Sequence, residues 1–223
     1  MNEKQILREK DCDQPHKDIR VIPCPDRITI EQITELLHRA HETTASKGMH
    51  FTAFKQTPED TKRRLGENGL FYVALTPEDR LVGAGAIVFH EKGSKWYFNH
   101  EPYAEIKMVG VDPDFRGRGI SNRIYDALET HGFNTVNMLT MNTAAGNAPV
   151  LGRNARHGWK YIDYCSWRST DYYSVIMGKW KNCPYASGRI RFYYLIRKII
   201  VTVMRDQKGS YRLLPQRRTS ENH

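Results

Sequence analysis

The chain has 223 residues, of which 39% are hydrophobic, enough for one sizeable core but not for two enzyme domains. Its four cysteines form no Cys-x-x-Cys pair and its nine histidines show no ligand spacing, which argues against a disulfide framework and a zinc site. The net charge of +9 lies entirely in residues 178–223, which hold 11 Lys or Arg against two acids. The neutral body and the basic tail therefore face different partners.

A flexible lead-in of residues 1–18, which contains no apolar run of signal-peptide type, precedes the predicted strands and helices. The pattern predicts a strand at 18–23, helices at 29–44 and 57–66, and a hairpin of strands 70–75 and 80–89. A strand at 104–111 precedes a loop and a helix that begins near Ile120 and stops at Gly132. A strand at 135–141, a short helix from an Asn147 cap to Gly158, and strands at 159–167 and 172–180 follow. The order predicts one mixed α/β domain over residues 19–180, with strand 104–111 at the centre of its sheet.

The loop VDPDFRGRGIS, residues 111–121, places glycines and arginines between a strand and a helix. Glycines allow close backbone approach, and the free amides of a first helical turn can bind a pyrophosphate. The Gly-x-Gly-x-x-Gly fingerprint fails because Asn122 stands in its last place, and no Gly-Lys-Ser/Thr follows for a P-loop. The loop alone is equally typical of a basic surface turn.

Two motifs together resemble the GNAT acetyltransferase superfamily. The family's acetyl-CoA loop reads Gln/Arg-x-x-Gly-x-Gly/Ala, and here Arg116 to Ser121 match it with a small residue in the last place. A second signature, Asn followed eleven positions later by Gly and an aromatic residue, is present as Asn147, Gly158 and Trp159. The resemblance implies a mostly antiparallel central sheet flanked by helices, with acetyl-CoA as co-substrate and no metal.

The resemblance also implies a set of acetyl-CoA-binding residues. The pantetheine arm would pair with the strand before the loop, where Gly110 would allow close approach, and the pyrophosphate would lie on the loop amides. The arginines would add positive charge suited to phosphate oxygens. The implied cofactor-binding residues are Val109, Gly110, Val111, Arg116, Gly117, Arg118, Gly119, Ile120, Ser121 and Asn147.

Catalysis in the family is direct attack of an amine on the thioester, so no nucleophilic cysteine is needed. Glu105 occupies the position of the family's glutamate base, and we expect either that partial burial raises its pKa or that a water relays the proton. The alternative is a strand carboxylate paired with Lys107 or Lys160. Asn154 stands where many members carry the tyrosine that protonates the leaving thiolate, and an amide is no general acid. Water or another tyrosine would then supply the proton, the candidates being Tyr161, Tyr164, Tyr172 and Tyr173.

The acceptor pocket implied by the resemblance is formed by the segment after the first helix and by the last hairpin. The sequence does not identify the acceptor. The candidate pocket residues are Met49, His50, Phe51, Trp167, Arg168, Asp171 and Tyr172.

The tail, residues 181–223, contains a basic amphipathic helix in which Arg191, Lys198 and Arg205 recur every seven residues. It suits an anionic membrane surface, and it equally suits a helix packed on the domain or on a second subunit. Nucleic acid is disfavoured because the body has no matching basic face. The protein is therefore expected to be cytoplasmic or peripheral to the inner membrane face.

The sequence thus predicts an N-acetyltransferase that moves acetyl from acetyl-CoA to a primary amine of a small molecule, such as an amino-sugar. The alternatives are acylation of a protein or antibiotic amine, and a catalytically silent acyl-CoA-binding module that docks at a membrane or protein partner.

Overall fold

The computed structural model describes residues 18–45, 52–91, 101–166, 172–182 and 188–207. Its strands are β1 (Arg20–Pro23), β2 (Gly69–Leu75), β3 (Leu81–His90), β4 (Tyr103–Val111), β5 (Met138–Ala144), β6 (Lys160–Ser166) and β7 (Tyr173–Trp180). Its helices are α1 (Ile30–Ala45), α2 (Thr52–Lys55), α3 (Pro58–Leu65), α4 (Ile120–Thr135), α5 (Ala148–Arg156) and α6 (Gly188–Gln207).

The strands form one sheet of order β1-β2-β3-β4-β5-β7-β6. Every neighbouring pair is antiparallel except β4 and β5, which run parallel. The mixed, mostly antiparallel sheet is confirmed, and the strand predicted at 104–111 is its central member. Helix α4 provides the crossover that a parallel neighbour requires.

Helices cover both faces of the sheet. On one face, Ile120, Ile124 and Leu128 of α4 are fully buried in the larger core. On the other face, Leu36 and Leu37 of α1 pack in a second core. Because apolar residues of each helix recur at helical spacing, the sequence predicted both buried stripes.

Helix α3 has the start signal that the sequence predicted. The Thr57 hydroxyl accepts a hydrogen bond from the Asp60 amide, and the Asp60 carboxylate accepts one from the Thr57 amide. This reciprocal capping box satisfies two otherwise unpaired donors. Gly66 ends the helix with a φ of 66°.

Helix α4 does not stop at Gly132, as the sequence predicted, but continues to Thr135. Gly132 is buried, and a Cβ there would lie 2.6 Å from a Leu139 methyl group and 2.7 Å from one of Ile87. The glycine therefore lets the helix approach the sheet closely and is not a helix terminator.

Helix α6 packs against the edge strand β6. Ile190 and Val201 are buried, and the Arg197 Nε donates to Asp163 Oδ1 at 3.2 Å. Asp163 is fully buried, so the arginine offsets the cost of burying its charge. Within the described ranges no helix is long and apolar enough to cross a membrane.

Candidate functional site

A cleft opens at the centre of the sheet, where β4 and β5 diverge. Their parallel pairing covers only Ala104 to Ile106 against Leu139 to Met141. Beyond this point β4 continues to Val111 and β5 to Ala144 as separate strands. The edge of β4 that faces β5 thus has free backbone groups, which an extended ligand can pair with as a strand would.

A bulge in β4 lies at the start of this divergence. Met108 has a φ of 52°, a conformation that is strained for a residue with a side chain. The register between β3 and β4 shifts at the same place, since Ala86 pairs with Lys107 and Ala84 with Gly110. The extra residue bends β4 and re-aims its side chains, as bulges next to functional sites do.

The cleft holds a cavity of about 370 Å³, a size typical of small-ligand sites. It brings together the predicted cofactor residues except Arg118, and adds others from α1, α4 and α5. The lining residues are Ala40, His41, Val109, Gly110, Val111, Phe115, Arg116, Gly117, Gly119, Ile120, Ser121, Tyr125, Asn147, Pro149, Val150 and Arg153.

The loop after β4 ends at the N-terminus of α4. Gly117 and Gly119 have φ values of 79° and 72°, which favour glycine. Gly119 is the N-cap and has no side chain to accept a hydrogen bond from the first turn. The amides of that turn, at Ile120 and Ser121, therefore stand at the positive end of the helix beside the cavity.

The two loop arginines make contacts within the protein. The Arg116 guanidinium donates to the Ala40 carbonyl of α1. The Arg118 guanidinium lies 4.9 Å from the centre of the Phe115 ring, and that of Arg80 lies 5.0 Å from it. Both guanidinium charges therefore lie near the loop, and Arg116 also holds α1 against the loop.

Asp112 anchors the base of the loop. Its buried carboxylate lies 3.4 Å from the Arg39 guanidinium of α1 and 3.7 Å from that of Arg80. Its amide donates to the Val82 carbonyl of β3 at 2.9 Å. The loop is thus fixed to two neighbouring elements before any ligand arrives.

Gly110 serves helix packing rather than ligand approach alone. A Cβ at this position would lie 2.9 Å from the Ala40 Cβ and 3.0 Å from a Leu37 methyl group. Helix α1 therefore already requires the glycine, and Gly110 also lines the cavity, so its role in admitting a ligand stays a prediction.

The side chains of Asn147 and Asn154 both make hydrogen bonds within the protein. Asn147 is the N-cap residue of α5, but its side chain makes no capping bond and donates to Thr143 Oγ1 at 3.0 Å. Asn154 is fully buried, outside the cavity wall, and accepts a hydrogen bond from Arg153 at 2.9 Å. The residue at the family's tyrosine position is therefore a buried packing residue.

Tyr125 of α4 lines the cleft beside Asn154, and sequence reasoning missed it. It is buried, and the Arg153 guanidinium lies 4.0 Å from its ring centre. The pKa of Tyr125 is raised to about 12, because burial outweighs the opposite effects of the Arg153 charge and the Asn154 hydrogen bond. The phenol therefore keeps its proton at pH 7 and can donate a hydrogen bond into the cleft.

Arg153 brings a positive charge to the same wall. Its Nε donates to Asn122 Oδ1 at 2.9 Å, and its side chain is only 11% exposed. One terminal nitrogen is buried without a hydrogen-bond partner among the described residues. A buried donor of this kind has a strong tendency to bind an acceptor.

His41 of α1 faces the cleft from the opposite wall, and its sequence context gave no signal. Burial, together with the charges of Arg116 and Arg64, lowers its pKa to about 4. The imidazole is therefore neutral at pH 7, in a wall that already carries positive charge.

Glu105 lies on β4 before the bulge and outside the cavity wall. Its Oε2 is 2.7 Å from the Lys107 ammonium and 3.8 Å from His90 Nε2. Burial raises the pKa of Glu105, but His90 and Lys107 outweigh it and hold the pKa below its usual range. The pKa is therefore not raised, the relay of the proton through water stays a prediction, and the pairing with Lys107 that was the alternative is present.

The candidate acids from β6 and β7 lie away from the cleft. Tyr161 is on the edge strand, 38% exposed, and stacks on Tyr194 of α6 at 5.4 Å, with β7 between its strand and β5. Tyr164 and Tyr173 are buried and stack on each other. Of the acceptor-pocket candidates, Tyr172 is half-buried; the others, Met49, His50, Phe51, Trp167, Arg168 and Asp171, lie outside the described residues.

Within the described part of the chain, no group of three His, Cys, Asp or Glu side chains could hold a metal ion. The donors that converge on the cleft are backbone amides, a phenol and a guanidinium, which are groups that bind anions and carbonyl oxygens.

Comparison with known proteins gives one family. A model described as the acetyltransferase (GNAT) family matches residues 30–159, which include the cleft, the loop and both sequence motifs. Among the curated proteins, none matches the chain significantly.

Solved structures of the same fold cover most of the chain. Arabidopsis thaliana NAA60 in complex with a bisubstrate analogue is 12% identical, with a TM-score of 0.56 over 74% of this chain and 99% of its own. A GNAT family acetyltransferase from Elizabethkingia anophelis with acetyl-CoA bound is 13% identical, with a TM-score of 0.52 over 74% and 99%. An acetyltransferase from Streptococcus agalactiae is 15% identical, with a TM-score of 0.54 over 74% and 99%. At these identities the likeness shows a shared fold.

Proposed function

Because the chain belongs to the GNAT acetyltransferase family, we propose that it transfers the acetyl group of acetyl-CoA to a primary amine of a small molecule, such as an amino-sugar. The observation that carries the proposal is the cleft between β4 and β5, which ends at the glycine-containing loop and the N-terminus of α4. The Elizabethkingia neighbour holds acetyl-CoA, which supports the choice of co-substrate.

Acetyl-CoA would enter with its pyrophosphate at the loop. The amides of Ile120 and Ser121 would donate to phosphate oxygens, and the positive end of α4 would favour the charge. The pantetheine arm would follow the free edge of β4 past Val111 and Val109, pairing its amides with the strand. This route places the thioester near the bulge at Met108.

The chemistry is a direct transfer. The amine nitrogen bonds to the thioester carbonyl carbon, the carbon–sulfur bond breaks, and CoA leaves as a thiolate. An ammonium first loses one proton to solvent; after the attack the nitrogen loses a second proton, and one proton reaches the sulfur from solvent. The described cysteines, Cys24 and Cys165, take no part in this route, since neither lines the cleft.

Glu105 is the proposed acceptor of the amine proton, through a bridging water. Because its pKa lies below the usual range, the carboxylate is ionised at pH 7. Such a weak base cannot deprotonate a free ammonium efficiently. It becomes effective when the nitrogen bonds to the carbonyl carbon, since the nitrogen is then far more acidic.

Tyr125 is the proposed donor to the leaving sulfur. A phenol with a pKa of about 12 would not give its proton fully to a thiolate of ordinary pKa near 8.5. It would stabilise the developing negative charge by a hydrogen bond while solvent supplies the proton. The family's tyrosine position, occupied by Asn154, would thus be replaced by a side chain from a different helix.

Calorimetric titration with acetyl-CoA tests the cofactor site, with Gly119→Val compared with Gly66→Val. Both glycines have a positive φ, and a Cβ would meet no protein atom within 4 Å at either position. The reason to expect damage at Gly119 is therefore its φ and the approach of the phosphate, not crowding within the loop. We expect most acetyl-CoA affinity to be lost in Gly119→Val alone, and equal loss or equal retention in both variants would refute the placement.

A catalytically silent acyl-CoA-binding module is the second candidate. Asn154 in the tyrosine position and the ion pair between Glu105 and Lys107 favour it. Such a module would bind acetyl-CoA with the same dependence on Gly119, but no primary amine would accelerate the appearance of free CoA.

A further inference from the structure

Helix α6 exposes an apolar strip. Of the described residues, the exposed large hydrophobic side chains are Tyr161 and seven members of α6: Phe192, Leu195, Ile196, Ile199, Ile200, Val203 and Met204. Phe192 is 65% exposed, Leu195 53% and Ile199 56%. At helical spacing these three lie on one face, with Ile196 and Val203 beside them. We call Phe192, Leu195, Ile196, Ile199 and Val203 the α6 strip.

The strip lies opposite the face that binds the domain. Ile190, Tyr194, Arg197 and Val201 face β6, where they are buried or half-buried. The helix is therefore held in place by one face, and the opposite face is apolar where a surface helix normally presents charge. A continuous exposed apolar surface of this kind marks an interaction site.

Positive charge borders the strip. Arg191 and Lys198 are exposed and lie one heptad apart along the same edge of the helix. Residues 188–207 contain a single acid, Asp206, at the end of the helix. Arg197 is already paired with Asp163. Arg191 and Lys198 are exposed, and the Lys198 ammonium lies 5.9 Å from the centre of the Tyr164 ring.

This charge pattern distinguishes between two possible binding partners of the α6 strip, a second copy of the chain and a lipid surface. A second copy docked strip to strip would bring basic edges together with almost no acid to offset them, and like charges at close range repel. An anionic lipid surface instead accepts the apolar residues among its acyl chains and the bases among its headgroups. We propose that the α6 strip binds reversibly to the surface of a membrane that contains anionic lipids.

The strip and the acetyl-CoA cleft are separate surfaces. No residue of α6 lines the cleft, and α6 packs on β6 at the sheet edge, with β7 between β6 and β5. Membrane binding therefore leaves the cleft wall unchanged. It would retain the enzyme near acceptors at or close to the membrane.

Co-sedimentation of the full chain with vesicles tests the proposal. Phosphatidylcholine vesicles with and without phosphatidylglycerol are compared at ionic strengths of about 0.01 M and about 0.1 M, where the Debye length is about 30 Å and about 10 Å. We expect binding to require phosphatidylglycerol and to weaken at the higher salt. The full chain is needed because removal of α6 would leave Asp163 buried without its arginine.

Two pairs of substitutions separate the apolar and the charged contributions. Leu195→Ser with Ile199→Ser should abolish vesicle binding, since both side chains are exposed and their contacts would be with lipid. Arg191→Gln with Lys198→Gln should weaken binding to phosphatidylglycerol vesicles about 30-fold, because each base is worth about 1 kcal/mol at an anionic surface and 1.4 kcal/mol is tenfold.

A matched control is Lys55→Gln with Lys62→Gln, which removes two exposed bases from α2 and α3. It should bind vesicles as the unmodified protein does, and thermal melts of all three variants should be unchanged. Equal vesicle binding by all variants would overturn the proposal. So would a folded protein whose vesicle binding does not depend on phosphatidylglycerol. A dimer in sedimentation velocity that Leu195→Ser with Ile199→Ser dissolves, without vesicle binding, would assign the strip to a second copy.

Discussion

Replacement of Glu105 by glutamine separates a catalytic carboxylate from a structural one. The substitution keeps the shape of the side chain and removes its basicity, at a site where the carboxylate is 2.7 Å from the Lys107 ammonium. A lysine-like acceptor amine with a pKa of about 10.4 costs about 4.6 kcal/mol to deprotonate at pH 7, whereas an α-amino-like group near 8 costs about 1.4 kcal/mol. This cost lowers the concentration of neutral amine for both forms of the enzyme alike, because Glu105 acts only after the nitrogen has bonded to the carbonyl carbon.

General-base catalysis is worth about 10²- to 10⁴-fold, which corresponds to about 2.7 to 5.4 kcal/mol of transition-state stabilisation. We expect kcat/KM of Glu105→Gln to fall by that factor at pH 7, measured as free CoA released in the presence of an accepted amine. Raising the pH towards the amine's own pKa should speed both enzymes by a similar factor and leave the difference between them, because Glu105 acts only after the neutral amine has attacked. Acetyl-CoA affinity should be unchanged, since Glu105 does not line the cavity.

The control for this variant is its combination with Lys107→Gln. If Glu105 is only the partner of Lys107, the single variant leaves a half-buried ammonium unpaired, and the double variant recovers both stability and turnover. If Glu105 takes the proton, the double variant is stable but still slow. Near-normal turnover of Glu105→Gln at pH 7 would refute the reasoning and make the carboxylate structural.

Two further predictions concern the cleft walls. Tyr125→Phe should lower kcat about 10- to 150-fold with little change in acetyl-CoA affinity, the loss expected for a hydrogen bond to a charged group of about 1.5 to 3 kcal/mol; a variant that changes only the melting temperature would make Tyr125 a packing residue. His41 has a folded-state pKa of about 4 against about 6.5 when unfolded, so the unfolded chain binds the extra proton and stability should decline as pH falls from 6.5 to 4, by about 3 kcal/mol. Urea unfolding of His41→Gln over this range should lack that decline, and an unchanged pH dependence would contradict the assignment.

Local sequence signals were sufficient for most of the fold. The apolar stripe of α1, the Thr57 capping box and the hairpin of β2 and β3 each follow from short-range patterns. Helix α2 has only four residues, too few for a periodic signal. The end of α4 was mispredicted because a glycine that fits against Leu139 looks, in sequence, like one that ends a helix.

The sequence predicted only those parts of the candidate site whose residues are contiguous in the chain. The loop and its glycines could be read directly, because residues 116–121 are contiguous. Tyr125 and Arg153 belong to α4 and α5, and only tertiary packing places them 4.0 Å apart in one wall. Because Tyr125 lies three residues before Leu128, it reads in the sequence as a core residue. The bulge at Met108 also has no local signal, since the period-two pattern of β4 does not reveal a positive φ.

The most direct test of the account is amine-dependent release of free CoA from acetyl-CoA. Purified full-length protein is incubated with acetyl-CoA and a panel of primary amines, including amino-sugars, amino acids and lysine-containing peptides; thiol is detected and the product is identified by mass spectrometry. The account predicts that at least one small-molecule amine accelerates CoA release, yields the N-acetyl product, and loses that acceleration in Gly119→Val but not in Gly66→Val. Tight binding of acetyl-CoA with no acceleration by any amine would contradict it and identify a silent acyl-CoA-binding module.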